Sequence, residues 1–238
     1  MEPIHDARGA PGDGHFAGLF AGAWLSRQPA AFRQHLIAVG RRAFYGRRYP
    51  IGFEGDDDRR ILGIVSGSIG CLTSHRQHMP VLGTIIGPGQ WFGMGPQLIG
   101  SERILSFVAR EPSELISLGD TELWRLREAF PDLPQRLAGL AQLQSNHIAG
   151  LVAELLVPEA DRRIAAVLLR LCEPGSGKDS LPLSQSELGE MANASRASVS
   201  RTLRVLAQRG LVEVGYGRIA VEDRAGLEAW FETSRTVA

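Results

Sequence analysis

The sequence predicts an α+β chain in two parts, and three observations carry that reading. From about Phe44 to Leu118, short apolar runs such as "RILGIVSG", "VLGTIIG", "ILSFVA" and "ELISL" are separated by Gly, Pro and Asp clusters. Their close, fairly regular spacing is the pattern of an antiparallel β sandwich, roll or barrel. Beyond it, Leu133, Leu137, Leu140, Gln144, Ile148, Leu151 and Leu155 recur at intervals of three and four, so one long helix with an apolar seam is expected. Last, "LSQSELGEMANASRASVSRTLRVLAQRG" reads as two short helices joined by a tight turn.

The 238 residues, 44% of them apolar, suffice for two domains of ordinary size. The opening "MEPIHDARGAPGDG" is polar, rich in Gly and Pro and without period, so residues 1–17 are expected to form a disordered tail. It lacks the basic start and apolar core of a signal peptide. Residues 18–125 are assigned to the β domain. At its start, Trp24, Phe32, Leu36 and Val39 suit short amphipathic helices broken near Pro29. Residues 126–157 carry the long helix, which Pro158 ends. Its seam fits a buried core helix and also a two-chain coiled coil. The length of the seam and the polar Gln144 and His147 in or beside it favour the second, and with it a homodimer. A further helix in "DRRIAAVLLRLCE" opens the C-terminal domain, residues 158–238, and "EPGSGKDS" is a loop by composition.

Composition excludes several classes. The 26 basic and 26 acidic side chains cancel, which argues against a general polyanion binder and leaves the local distribution of charge to decide what one face can touch. No apolar run approaches the roughly 18 residues that span a bilayer, so no membrane partner is expected. Cys71 and Cys172 are far apart and unlike a CxxC pair, which suggests neither a disulfide framework nor a zinc finger. A reducing cytoplasm is the simplest compartment, and no cofactor or metal is predicted. A metal-dependent cupin enzyme would need a tight H-x-H with a carboxylate on adjoining strands, and the spacing of "HRQH" is wrong for it.

The C-terminal module concentrates uncompensated charge. Ser184 followed three residues later by Glu187 forms a capping box, with Leu188 and Met191 then pointing inward. "ANAS" supplies a turn, and Ser195 is an N-cap for a second helix running to about Gln208. At 100° per residue Val199, Leu203 and Leu206 share one face, while Ala197, Arg201, Arg204 and Gln208 fall within an arc of about 60° on the other. A solvated face normally pairs Glu with Lys or Arg at four-residue spacing. This segment, with Arg196, Arg201, Arg204 and Arg209, contains no acid. After Gly210, a C′ glycine, "LVEVGYGRIAVED" alternates around Gly215-Tyr216-Gly217 as a β hairpin, which makes the module a winged helix-turn-helix. Double-stranded DNA is the partner expected of it. The second helix enters the major groove, its arginines can grip guanine bidentately, and Arg218 and the helix starts at Ser184, Gln185 and Ser195 suit phosphates. Arg196, Ala197, Ser198, Ser200, Arg201 and Arg204 complete the expected contact set.

With a β-rich half, a long seamed helix and "SQSELGEMANASRASVSRTLRVLAQRGLVEV" in that order, residues from about 20 to 230 resemble the cyclic-AMP receptor protein / FNR superfamily of bacterial transcription regulators. The resemblance implies a cyclic-nucleotide-binding-like jelly roll, a homodimer, a palindromic operator, and contact with RNA polymerase where the regulator activates. "SRASVSRTLRVL" resembles the family's S-R-x-T-V-S-R-x-L-x-x-L recognition helix, so Arg196 and Arg201 correspond to its base-reading arginines and Ser198 replaces its Thr. Where the cyclic-AMP receptor has a glutamate this chain has Ala197, which implies a different base preference at that position.

The sensory half departs further. "GPGQWFGMGPQLIGSERIL" resembles the family's phosphate-binding cassette: Gly93 and Arg103 align, but Met94 stands at the ribose-binding Glu and Ile104 at the phosphate-binding Ser or Thr. A ribose hydroxyl would lose its acceptor and a phosphate one donor, leaving Arg103 largely alone. An ordinary cyclic-nucleotide response is therefore not expected, although a cyclic-nucleotide-activated regulator is the main alternative. If an effector exists, Arg103 suggests an anionic group. Gln144, Ser145 and His147 lie where the family's long helix touches its effector, and they read equally as polar positions of the seam. Iron–sulfur members carry several N-terminal cysteines, absent before Cys71. Cys71, His75, His78 and His147 are the residues a haem or metal could use, with His75 and His78 read as solvated hairpin residues rather than ligands.

Overall fold

A computed structural model describes residues 14–74, 79–172 and 180–233. The chain divides into two compact units: the first takes in residues up to 146 apart from 79–84, and the second takes in residues 79–84 and everything from 147 onward.

In the first unit a 3-10 turn, Ala17–Phe20, and helices α1 (Ala23–Ser26) and α2 (Ala30–Val39) precede the sheets, and Pro29 caps α2 as its φ of −56° suits. The strands follow as β1 (Arg41–Tyr45), β2 (Pro50–Gly52), β3 (Ile61–Ser66), β4 (Ile69–Thr73), β5 (Val81–Ile86), whose first four residues are assigned to the second unit, and β6 (Trp91–Phe92). After helix α3 (Met94–Ile99) come β7 (Ser106–Ala109) and β8 (Ser113–Leu118), then helix α4 (Asp120–Ala129). They make two four-stranded sheets, ordered β1-β8-β3-β6 and β2-β7-β4-β5. The pairings are antiparallel, for example Ile61 opposite Leu118 and Cys71 opposite Phe107. Tyr45, Leu62, Ile64, Ile69, Phe92, Phe107 and Leu115 form the core between the sheets. The other face of the first sheet buries Ile61, Val65, Ile116 and Leu118 against Trp24, Phe32, Leu36 and Leu126 of the helices. Strands β3 and β8 are therefore apolar on both faces, which is why their sequences read as continuous runs rather than alternating ones. Gly63 makes room for this packing: a Cβ there would come within 2.7 Å of the Trp91 ring.

The long helix, α5, spans Leu133–Leu155 without a break. Its seam divides into two halves. Leu133, Leu137 and Leu140 are buried against the helices of the first unit, so the core-helix reading holds for that half. The C-terminal half leaves Ile148, Val152 and Leu155 about half exposed, at 57%, 51% and 46%.

The second unit carries α6 (Ala160–Leu171), β9 (Ser180–Leu181), α7 (Gln185–Met191), α8 (Arg196–Gln208), β10 (Val212–Gly215), β11 (Arg218–Val221) and α9 (Arg224–Thr233). The expected hairpin pairs Val212 with Val221 and Gly215 with Arg218. A third strand, β9, joins it by pairing Leu181 with Ile219, and two residues are too few to show a period. Ile164, Leu168, Leu188, Val199, Leu206, Ile219 and Leu227 are buried in this unit.

Candidate nucleic-acid interface and sensory cradle

The capping box forms as the spacing predicts. Ser184 donates its backbone N–H to Glu187 Oε2 at 2.8 Å, and Glu187 donates its own to Ser184 Oγ at 3.3 Å, which satisfies two N–H groups that a helix start leaves free. Between α7 and α8 the backbone turns at Asn193, whose φ of +44° is a left-handed value that asparagine tolerates better than most residues. Ser195 then caps α8, its Oγ accepting from Ser198 N–H at 3.1 Å. The hydroxyls of Ser195 and Ser198 lie 2.9 Å apart and bond to one another. The two helices approach closely at Gly189, where a Cβ would lie 2.9 Å from Ala194 O and 3.4 Å from Val199 Cγ2.

Helix α8 buries Val199, Leu203 and Leu206 as expected, together with Thr202, which periodicity alone assigned to no face. Its opposite face exposes Arg196, Ala197, Arg201, Arg204 and Gln208, with Ser200 half-buried at the edge. A capped helix of 13 residues, free of acid, thus presents guanidinium groups to solvent. Gly210, with φ of +71°, ends it. On the wing, Gly217 (φ +66°) closes a tight turn that leaves Tyr216 fully exposed, and the exposed Arg218 donates to Ser180 Oγ at 2.6 Å across the sheet.

In the β domain, Arg103 is buried and ion-paired within the protein. Its Nη2 lies 3.0 Å from Asp58 Oδ2 and donates to Asp58 O at 3.1 Å, and its guanidinium stands 5.8 Å over the Phe107 ring. Arg60 grips the same carboxylate bidentately, Nε to Oδ1 at 2.8 Å and Nη2 to Oδ2 at 2.7 Å. Burial would raise the Asp58 carboxyl, but the hydrogen bonds and charge of Arg60, followed by those of Arg103, outweigh it and hold the group below the usual carboxylate range. Asp58 gives no sequence signal, because it is one of three consecutive aspartates, 45 positions from Arg103.

The pairing uses only part of Arg103. Its Nε and Nη1 are buried and have no acceptor among the described residues. They face two glycines: a Cβ on Gly52 would lie 3.2 Å from Nε, and one on Gly93 3.0 Å from Nη1. Gly93, with φ of +83°, starts α3. Met94 turns away from this cradle into the apolar cluster with Trp91 and Leu118, whereas Ile104 is 79% exposed. Gln144 donates to Trp91 O and Ser145 to Ala141 O, so both side chains have partners within the first unit. His147 is half-buried in the second unit. Cys71 is buried in the core of the roll, and burial pushes its thiol up to about 12, which disfavours the thiolate a metal would take. His75 and His78 lie outside the described residues, and no cluster of three His, Cys, Asp or Glu occurs among those described.

A β roll followed by a long helix and a capped helix-turn-helix with a wing defines the class of DNA-binding transcription regulators that couple a cyclic-nucleotide-binding-like domain to a DNA reader. Residues 162–230 match the family model described as a Crp-like helix-turn-helix domain. The chain is 33% identical over 196 residues to a cyclic AMP receptor protein of Thermus thermophilus, covering 81% of this chain and 88% of that one. It is also 30% identical over 157 residues to the transcriptional regulator SdrP of the same organism, covering 63% and 72%. The structure of FixK2 from Bradyrhizobium japonicum shares the fold, with a TM-score of 0.68 at 19% identity over 80% of this chain and 96% of that one. The protein belongs to the Crp family of transcription regulators. No helix among the described residues is long and apolar enough to cross a membrane.

Proposed function

We propose that the protein is a homodimeric, sequence-specific transcription regulator that reads a palindromic operator with α8. The observation that carries this is the exposed face of α8, where Arg196, Arg201 and Arg204 stand on a helix capped by Ser195 and free of acid. Arg196 and Arg201 are the base readers, Arg204 and Arg218 meet phosphates, and the helix starts at Ser184, Gln185, Ser195 and Ser198 supply N–H groups or hydroxyls to the backbone. Ala197 and Ser200 pack against the groove. The exposed half of α5 joins two copies, which sets half-site centres about 34 Å apart, one helical turn. The domain order behind this is a roll over residues 18–125, a dimerisation helix over 126–157 and the DNA reader from 158. The protein acts in the cytoplasm, without enzymatic turnover, and touches RNA polymerase where it activates.

Control operates by population shift: contacts at the roll and the long helix bias the spacing of the two readers. The sensory domain is degenerate for cyclic nucleotides, because Met94 is turned into the core and Asp58 already holds one edge of Arg103. Selection of bound sequences from random duplexes tests the main reading; enrichment of an inverted repeat is expected, and recovery of unselected sequence would refute it.

A second reading has one observation in its favour. The unpaired Nε and Nη1 of buried Arg103, beside Gly52 and Gly93, could accept an anionic ligand, and several relatives are named for cyclic AMP. Calorimetry with cyclic AMP and cyclic GMP separates the two. Micromolar binding would favour a cyclic-nucleotide-activated regulator, whereas no heat supports the degenerate sensor.

A further inference from the structure

Arg163 stands on the first turn of α6, within the second unit. Its hydrogen bonds all run to backbone carbonyls. Nε donates to Ala192 O at 2.8 Å and Nη2 to Asn193 O at 2.9 Å; Nη1 donates to Val157 O at 2.7 Å and to Pro158 O at 2.8 Å. The acceptors fall in two places. Ala192 is the C-cap of α7 and Asn193 is the left-handed turn residue that leads into α8. Val157 and Pro158 form the linker between α5 and α6.

Helix ends leave carbonyls without intrahelical partners and carry the negative end of the helix dipole, so a guanidinium is a natural cap for either. Here one guanidinium caps both. The group is planar and its N–H directions are fixed, so the bonds hold the linker and the turn at a set separation rather than merely neutralising them. Helix α8 begins two residues beyond Asn193, at the N-cap Ser195. A displacement of the linker therefore reaches the start of α8 through a rigid planar connection.

We infer that Arg163 is a positioning residue that transmits the position of the linker to the recognition helix, so that the half-site spacing the dimer prefers is set through a side chain that touches no DNA. The inference rests on the DNA-reading dimer proposed above. A lysine would keep the charge but offers a compact ammonium that cannot span both carbonyl pairs in one plane.

The test uses the full chain as wild type, Arg163→Lys, Arg163→Gln and Pro158→Gly. Affinity is measured by fluorescence anisotropy on the selected palindrome, on versions with one base pair inserted or removed at its centre, and on a single half-site, with thermal midpoints alongside. Since one base pair rotates and shifts a half-site, wild type should prefer the native spacing by about tenfold or more. Both Arg163 variants should reduce that preference to about threefold or less, with half-site affinity within about twofold of wild type. Pro158→Gly, which loosens the linker while leaving the carbonyls in place, should give the same loss of spacing preference. If the Arg163 variants keep the wild-type spacing preference, or lose half-site and palindrome affinity in equal proportion as their midpoints fall, Arg163 is a structural residue only. A wild type that selects no duplex at all would refute the DNA-reading proposal itself, and the inference with it.

Discussion

Arg201 projects from the exposed face of α8 with no acid on the helix to hold it back, so removing it should cost discrimination rather than fold. Arg201→Ala is expected to weaken a specific site by about 1–3 kcal/mol and relax base preference there, measured by anisotropy on single-base variants of the operator. Unchanged discrimination would mean that Arg201 does not read bases. Asp58 makes a different kind of prediction. Its folded carboxyl is held low by Arg60 and Arg103 against the opposing effect of burial, so in the acid range the unfolded chain binds more protons than the folded one. The stability it contributes is full above the ordinary aspartate value of about 3.9 and is lost as pH falls through the lower folded value. Wild type should be more resistant to urea than Asp58→Asn at neutral pH, and the gap should close as the pH is lowered through the carboxylate range. A gap independent of pH would show that the Asp58 charge is not what holds Arg60 and Arg103.

Caps and close approaches decide how α8 is presented. Ser195 supplies the acceptor for Ser198 N–H, so Ser195→Ala should cost about 1 kcal/mol of stability, read from chemical denaturation of the C-terminal unit within the full chain. Gly189→Val should be worse, because the first added carbon already meets Ala194 O at 2.9 Å and the turn would have to open. The expected outcome is a lower thermal midpoint together with weakened operator binding; a protein as stable as wild type would show that the turn accommodates the side chain. These caps were legible in the sequence because a capping box joins residues three positions apart, and the apolar period of α8 was legible for the same local reason. Strand β9 was not, since a two-residue strand is defined only by its partner Ile219 on β11. The burial of Thr202 likewise follows from what packs on α8 rather than from its own chemistry.

For the whole molecule, the half-exposed Ile148, Val152 and Leu155 are a part of α5 that no described residue covers well. If a second copy covers them, Ile148→Glu with Val152→Glu should yield a monomer in sedimentation equilibrium, and its affinity for the palindrome should fall to that of a single half-site. A dimer that survives both charges would place the interface elsewhere. The seam itself was visible as a period, but the period could not say which turns are covered within the chain. Leu133, Leu137 and Leu140 meet Trp24, Phe32 and Leu126 only because the roll brings the N-terminal helices beside α5.

The sequence by itself determined the antiparallel roll, the long helix, the winged helix-turn-helix and the one-sided charge of α8, because periodicity, caps and turn residues act over a few neighbouring positions. Only the tertiary structure decided what Arg103 and Arg163 do. Arg103 finds Asp58 across 45 positions, and one aspartate in a run of three looks like its neighbours until the chain has folded. Arg163 reaches the carbonyls of Ala192 and Asn193 across 29 and 30 positions. Every residue carries a carbonyl, so a side chain whose partners are backbone groups leaves no trace of them in the sequence.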